Sequence, residues 1–423
     1  MSARGSGPGA GPRIVVTGLG VVSALGNDVA TFDEALFKGD VGIGPITLYD
    51  DGPVEMRVAA EVRGYDEKDH FSNSQLTLMD RFAQFALLSA REAVADSGLD
   101  FAAAANDKYT PGNLGNRTAV VHGTGIGGQS TQDASYHRLL VDQILRTHPF
   151  TIPKLMPNAG ASQISMEFGI TGPSLTTATA CASTAHAIAM AVMLLRSGQA
   201  DVAITGGAEA CINFGTMLAW KALRVTAKDT CRPFSNKRGG MVVGEGGGTL
   251  ILETLEHARA RGATIHAELT GIGMSADAGN IIQPSGDGAA LALANCLSDA
   301  GLSPEDVDYI NAHGTGTAQN DPTESAAIRK VFGTHADNVA VSSTKSMHGH
   351  ALGAAAALEA VATILALRRQ TAPATMNYLE PDPKCDLDYV PNAARPMEIR
   401  NALCNSFAFG GLNAVVGFSR FQG

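Results

Sequence analysis

Cys181 lies in Thr177-Ala178-Thr179-Ala180-Cys181-Ala182-Ser183-Thr184-Ala185-His186, and its surroundings fit a nucleophile. Residues 172–179 are rich in β-branched and turn types. Residues 182–195 carry no formal charge and are mostly Ala, Met, Ile, Val and Leu. A strand is therefore expected to hand over to a buried helix at the thiol, where the helix's free N–H groups and dipole would favour a thiolate. A thiolate can attack an acyl group. A cysteine in an apolar stretch is, by itself, more often a packing residue, and that reading is kept for Cys211, Cys231, Cys296, Cys385 and Cys404.

Three later segments carry the polar groups such a nucleophile would need. Asn311-Ala312-His313-Gly314-Thr315-Gly316-Thr317, followed by Asn320-Asp321-Pro322-Thr323-Glu324, puts a histidine on a turn full of glycine and hydroxyls after an apolar run. Ser342-Ser343-Thr344-Lys345-Ser346-Met347-His348-Gly349-His350 leads into Leu352-Gly353-Ala354-Ala355 and Glu359. Asn405-Ser406-Phe407-Ala408-Phe409-Gly410-Gly411-Leu412-Asn413 is a glycine-rich turn between apolar runs. His122, His186 and His348 have no such setting and are read as structural.

The elements that must bring these segments together alternate short β-branched runs with Ala/Leu-rich helical ones, an α/β pattern. Strands are expected at 14–16, 119–121, 202–204 and 339–341, and helices at 81–96, 183–197, 288–299 and 354–368. A weak internal repeat organises them. Thr17-Gly18-Leu19-Gly20 recurs as Thr270-Gly271-Ile272-Gly273, residues 93–99 are echoed by 296–302, and His122-Gly123-Thr124-Gly125 by His313-Gly314-Thr315-Gly316. The order is the same in both halves, which indicates a duplication with extra loops in the first half. The chain then divides into a flexible leader (1–12), a half carrying the nucleophile (13–265) and a half carrying the two histidines (266–423). The boundary is soft, near 262–268. Gly18-Leu19-Gly20 lacks the third glycine and the acidic partner of a dinucleotide fingerprint, and its recurrence makes it a repeated structural turn.

Bulk properties narrow the function classes. The 423 residues are 45% hydrophobic and 17% charged, which is globular and long enough for two domains. A formal net charge of -10 argues against a general nucleic-acid binder. Six scattered cysteines without CxxC or zinc spacing read as reduced thiols and no metal site. No run reaches the roughly 18–20 apolar residues of a membrane span, and a cytoplasmic protein is expected.

Over residues 13–421 the chain resembles the β-ketoacyl-acyl-carrier-protein synthases, condensing enzymes of the thiolase superfamily. The resemblance rests on Cys181, on His313-Gly314-Thr315-Gly316-Thr317, and on Ser343-Thr344-Lys345-Ser346 with Gly349-His350 and Leu352-Gly353-Ala354-Ala355. It is supported by Val15-Val16-Thr17-Gly18-Leu19-Gly20, Met79-Asp80-Arg81-Phe82, Cys231-Arg232-Pro233-Phe234-Ser235 and Gly244-Glu245-Gly246-Gly247-Gly248. The resemblance implies a thiolase-like duplicated five-layer αβαβα sandwich and a decarboxylative Claisen condensation. Cys181 would carry the acyl chain. His313 and His350 would donate through Nε2 to the malonyl thioester oxygen, and the N–H groups of Cys181 and Phe409 would form the oxyanion hole. Lys345 would order the site beside Glu359 and Asp321. Thr315 and Thr317 would bind the phosphopantetheine arm, Phe409 would gate the thiol, and Ile126 would line the acyl pocket. The chain would need no cofactor of its own, the phosphopantetheine arriving on an acyl carrier protein. A homodimer is implied, with residues 172–179 at its interface.

Several positions depart from the common elongation synthases. His348 stands where Thr is usual, Ala356 and Ala408 where Gly is usual, and Leu412 where Thr is usual. A Cβ at Ala408 is expected to restrict the gating segment. Residues 66–74 lack the usual Lys/Arg cluster for acidic carriers, leaving Lys221, Arg224 and Lys228 as a smaller patch. These features point to specialised relatives such as the nodulation-type ketoacyl synthases, each serving a dedicated carrier. The competing functions are a chain-length-factor-like or scaffold partner, which would lack the nucleophile, and a thiolase, which would carry a second catalytic cysteine near the C-terminus.

Overall fold

The computed structural model describes residues 11–49 and 56–423. The expected leader therefore lies, as far as residue 10, outside the described residues. Ten strands form one mixed sheet: β1 (Ile14–Val22), β2 (Thr118–Gly123), β3 (Ser174–Thr177), β4 (Val202–Glu209), β5 (Gly246–Thr254), β6 (Ala267–Ala276), β7 (Tyr309–Asn311), β8 (Ala340–Ser342), β9 (Asn401–Ala408) and β10 (Leu412–Ser419). Their spatial order is β8-β7-β9-β10-β6-β1-β5-β4-β2-β3. Outward from the centre, the first half runs β1-β5-β4-β2-β3 and the second β6-β10-β9-β7-β8. Each half is therefore the same five-stranded arrangement. The pairings also match, antiparallel for the inner two and parallel for the outer two. The halves join through the antiparallel register Ile14↔Leu269, Val15↔Glu268, Val16↔Ala267.

The helices that cover the sheet or flank the site include α1 (Arg81–Ser97), α2 (Ser183–Arg196), α3 (Phe214–Ala222), α4 (Gly286–Ala300), α5 (Asn320–Phe332) and α6 (Ala355–Arg369). α1 covers β1, β5 and β4, while α4 covers β6 and β10. α2 and α6 touch one another and lie between the half-sheets, against β4 and β2 on one side and β9 on the other. This is the expected five-layer sandwich. The burial of α2 and α6 explains their composition, since residues 355–367 of α6 are buried on every face.

The repeat acquires a physical cause, with one correction. The recurring Gly-X-Gly is not a turn but the middle of β1 and of β6. A Cβ at Gly18 or Gly20 would lie 2.1 Å from the Ala93 carbonyl oxygen or 1.9 Å from that of Ser89, both in α1. At Gly273 it would lie 2.1 Å from the Ala292 carbonyl oxygen in α4. Bare backbone lets each outer helix rest directly on its strand. The second echo ends each helix on a left-handed cap, Gly98 (φ 68) and Gly301 (φ 64). The third marks the ends of the equivalent strands β2 and β7.

Gly20→Ala should therefore cost roughly 1–3 kcal/mol by overpacking, read as a lower urea midpoint at unchanged slope. Gly279→Ala, where the nearest atom would be 3.7 Å away, serves as the control. Equal midpoints for the two variants would contradict this origin of the repeat.

Candidate active site

Cys181 sits where the sequence places a strand-to-helix handover, on a single turn of 3-10 helix, Ala180–Ala182, between β3 and α2. Ala180 is held at φ 50, a left-handed conformation that costs a non-glycine residue roughly 1–2 kcal/mol. Ser183 secures it: its hydroxyl donates to the Ala180 carbonyl (2.6 Å) and accepts from the Thr179 N–H (2.9 Å). The bend presents the sulfur to a cavity of about 330 Å³ that His313, His350, Thr315, Thr317 and Phe409 also line. Cys181 Sγ and one ring nitrogen of each histidine lie within 4.8 Å of one another.

The two histidines arrive from the second half at a perpendicular angle, ring centroids 5.4 Å apart. His350 accepts a hydrogen bond at Nδ1 from the Leu352 N–H (3.1 Å). His313 Nδ1 faces the Lys345 ammonium at 3.4 Å. With a donor at each Nδ1, the ring proton belongs on Nε2. Burial, and after it the Lys345 charge, holds both imidazoles well below the usual histidine range, so both are neutral at pH 7. The pair is thus two N–H donors without charge.

Lys345 is fully buried. It donates to the His313 carbonyl oxygen (2.7 Å) and pairs with Glu359. Burial pushes the Glu359 carboxyl up, and Lys345 opposes that. Asp321 is not a neighbour of Lys345 as expected. Its carboxylate accepts from the N–H groups of Phe234 (2.7 Å) and Gly316 (3.1 Å), bracing the loop behind the cavity. Glu324, one turn along α5, takes the place next to His313. It accepts from the N–H groups of His313 and Gly314, both at 2.8 Å, and from Asn405 Nδ2 at 3.1 Å. Its spacing, three residues after Asp321 at the start of a helix that follows the glycine turn, was the signal that could have found it.

Thr315 and Thr317 hydroxyls meet at 2.9 Å on the cavity wall. Phe409 is at the tip of the β9–β10 hairpin, its backbone N–H directed at the Cys181 sulfur. Ala408 does not restrict the gate in the expected way. It is the last paired residue of β9, opposite Leu412, and the left-handed positions are Gly410 (φ 84) and Gly411 (φ 70). A Cβ at 408 therefore occupies ordinary strand backbone. Ile126 does not line the Cys181 cavity. It lines a neighbouring cavity of about 310 Å³ with Trp220 and Leu223, and of these only Leu223 lines the Cys181 cavity too. Glu209 sets that turn by accepting from the N–H groups of Gly125 (2.6 Å), Ile126 (3.3 Å) and Gly353 (3.0 Å). Arg224 is exposed at the rim of the Cys181 cavity and Lys228 is exposed nearby in sequence. The other five cysteines are buried and free, and His348 is buried against Thr344 and the Gly349 carbonyl.

The thiolate expectation needs correction. Burial is the largest influence on Cys181 and pushes the thiol up to about 11, against the pull of Lys345 and the Phe409 N–H. Alkylation of Cys181 by iodoacetamide should accordingly rise about tenfold per pH unit between pH 7 and 9, followed by mass spectrometry. A plateau below pH 8 would refute the raised thiol. The buried ion pair supplies a second expectation. Lys345→Met strands a buried carboxylate and should cost roughly 3–5 kcal/mol, while Lys345→Met with Glu359→Met should be less destabilised in urea unfolding. A double variant weaker than the single would count against this pairing.

The geometry can activate an acyl thioester without charge on the histidines, and comparison with known proteins agrees. Residues 12–258 match the family profile "Beta-ketoacyl synthase, N-terminal domain" and residues 266–379 match "Beta-ketoacyl synthase, C-terminal domain". Nodulation protein E of Rhizobium sp. (strain N33) is 47% identical over 406 residues, 96% of this chain and 98% of that protein. The 3-oxoacyl-[acyl-carrier-protein] synthase 2 of Staphylococcus aureus (strain N315) is 41% identical over 417 residues, 97% and 99% of the two chains. Among solved structures, the ishigamide ketosynthase/chain length factor superposes with a TM-score of 0.91 at 36% identity, covering 98% of this chain and 100% of that one. With both halves of its fold matched, the chain belongs to the beta-ketoacyl synthase family.

Proposed function

We propose that this chain catalyses the decarboxylative condensation of a Cys181-bound acyl chain with a malonyl unit, both delivered on an acyl carrier protein. The observation that carries this reading is the convergence of two neutral Nε2–H donors on the thiol. In the first step the Cys181 sulfur forms a bond to the acyl carbon, the carrier's thiol departs with the proton, and the N–H groups of Cys181 and Phe409 receive the oxyanion. In the second, the malonyl C–CO2 bond breaks and its electron pair enters the thioester as an enolate. His313 and His350 stabilise the enolate oxygen, and neutral donors suit that task because they do not quench it as acids. The enolate carbon then bonds to the acyl carbon, the C–S bond to Cys181 breaks, and the sulfur is reprotonated. Electrons stay within the substrates, so the balance calls for no redox cofactor. On this reading Thr315 and Thr317 bind the phosphopantetheine arm, Ile126 meets the far end of an acyl chain, and Arg224 and Lys228 attract an acidic carrier.

Cys181, His313 and His350 also have the composition of a metal site, but the Lys345 ammonium 3.4 Å from His313 Nδ1 opposes a second cation there. A chain-length-factor-like or scaffold role is disfavoured by the nucleophile on its strained bend. The higher identity to a nodulation protein than to the elongation synthase supports a specialised pathway with its own carrier. The exposed edge strand β3, with Leu175 43% exposed, supports a homodimer. Among the described residues no helix is long and apolar enough to cross a membrane; the six free cysteines, scattered without pairing, support a reducing, cytoplasmic setting.

Acyl carriers of several lengths with malonyl carrier should give ketoacyl product with the native chain and none with Cys181→Ala. Cys181→Gln should still release CO2 from malonyl carrier, while adding His313→Ala or His350→Ala should slow that release by about 100-fold or more. Failure of Cys181→Gln to decarboxylate would refute the division of labour between thiol and histidines.

A further inference from the structure

An aromatic pair, whose rings the condensation steps do not use, has one member on the Cys181 cavity and the other on the Ile126 cavity. Trp220, on α3, lies against Phe409 with ring centroids 6.2 Å apart and planes 24° from parallel. Phe409 lines the first cavity and Trp220 the second, while Leu223, one turn beyond Trp220, lines both. Both rings are half-buried. Glycines take the left-handed positions of the hairpin tip that carries Phe409. Ala408 and Leu412 remain paired at its base, and Gly410 and Gly411 hold φ values of 84 and 70. A Cβ at Gly410 would meet nothing within 4 Å.

Resting on the proposed condensation, we infer that Trp220 is a specificity-determining residue: its ring latches Phe409 over the passage between the two cavities. A short chain on Cys181 fits the first cavity with the latch closed. A long chain must part the two rings to reach the compartment lined by Ile126. A stacked aromatic pair shifts such an equilibrium by roughly 2- to 10-fold, so the latch grades chain lengths and does not bar them. Removing the indole opens the passage and replacing it with a smaller ring keeps it closed.

Trp220 is the chain's one tryptophan, so its emission reports the latch directly. Cys181 of the full-length protein is alkylated with iodoacetamide or with N-dodecyl iodoacetamide. In each case the C–S bond forms, iodide leaves and the thiol proton passes to buffer. Rates are read by mass spectrometry, with Cys181→Ser as the blank. The dodecyl label should change Trp220 emission and the small label should not. Trp220→Ala should raise the ratio of dodecyl to small-label rates about 5-fold, with Trp220→Phe within about 2-fold of the native ratio. Identical emission for the two labels in the native protein overturns the latch, and so does an unchanged ratio in folded Trp220→Ala. If Trp220→Ala does not fold, the native emission comparison decides. Neither arm reads condensation, so loss of the latch and loss of the proposed reaction are separable.

Discussion

The Lys345 ammonium, buried without access to water, is the group around which the site is organised. Its charge would be intolerable there without partners. The partners it recruits are Glu359 from the central helix α6, the His313 carbonyl oxygen from the loop after β7, and His313 Nδ1. One cation thereby joins the middle layer of the sandwich to the edge of the second half-sheet. It also decides the chemistry of its neighbours. It adds to burial, the larger influence, in keeping the adjacent imidazoles neutral, faces His313 Nδ1, and draws the Cys181 thiol down against the stronger push of burial. The structure accepts an expensive buried charge, and beside it two buried imidazoles present N–H groups without charge.

The duplication explains why the site can be assembled from distant segments. In each half the next-to-outermost strand leads into His-Gly-Thr-Gly, and a buried glutamate gathers N–H groups of the turn there. Glu209 gathers Gly125 and Ile126 in the first half, and Glu324 gathers His313 and Gly314 in the second. The same device has diverged in use. In the first half it shapes the turn beside the Ile126 cavity and crosses to the Gly353 N–H of the second half. In the second it holds the turn that carries the His313 ring beside Cys181. His122, the counterpart of His313, stays buried behind its strand, where its pKa is lowered to about 4 by burial.

Much of this was legible in the chain because the signals were local. The glycines of β1 and β6 recur at matching places because both outer helices need bare backbone beneath them. Cys181, His313 and His350 stood out because their flanking glycines and hydroxyls are dictated by sharp turns, which short motifs record. Residues acting through space were not legible. Asp321 looked like the partner of Lys345 from its motif, yet Glu324, one turn on, stands beside the histidine. Ala408 looked like a constraint on the gate until its register opposite Leu412 placed it inside a strand. Trp220 belongs to no motif, and its contact with Phe409 spans 189 positions of chain.

The amino-acid sequence by itself determined the α/β class, the duplication, the strand-to-helix bend at Cys181 and the motifs that carry Cys181, His313 and His350 to one cavity. These follow from periodicity, turn chemistry and the reactivity of side chains, which a linear chain carries with it. Only the tertiary structure decided their protonation and company. Burial raised a thiol that the helix end alone would have acidified. Donors at both Nδ1 atoms fixed the histidine tautomers. The contact of Trp220 on α3 with Phe409 at the hairpin tip set an aromatic pair beside the two cavities. Desolvation and contact depend on what the fold brings near, and neighbours in space are not written as neighbours in sequence.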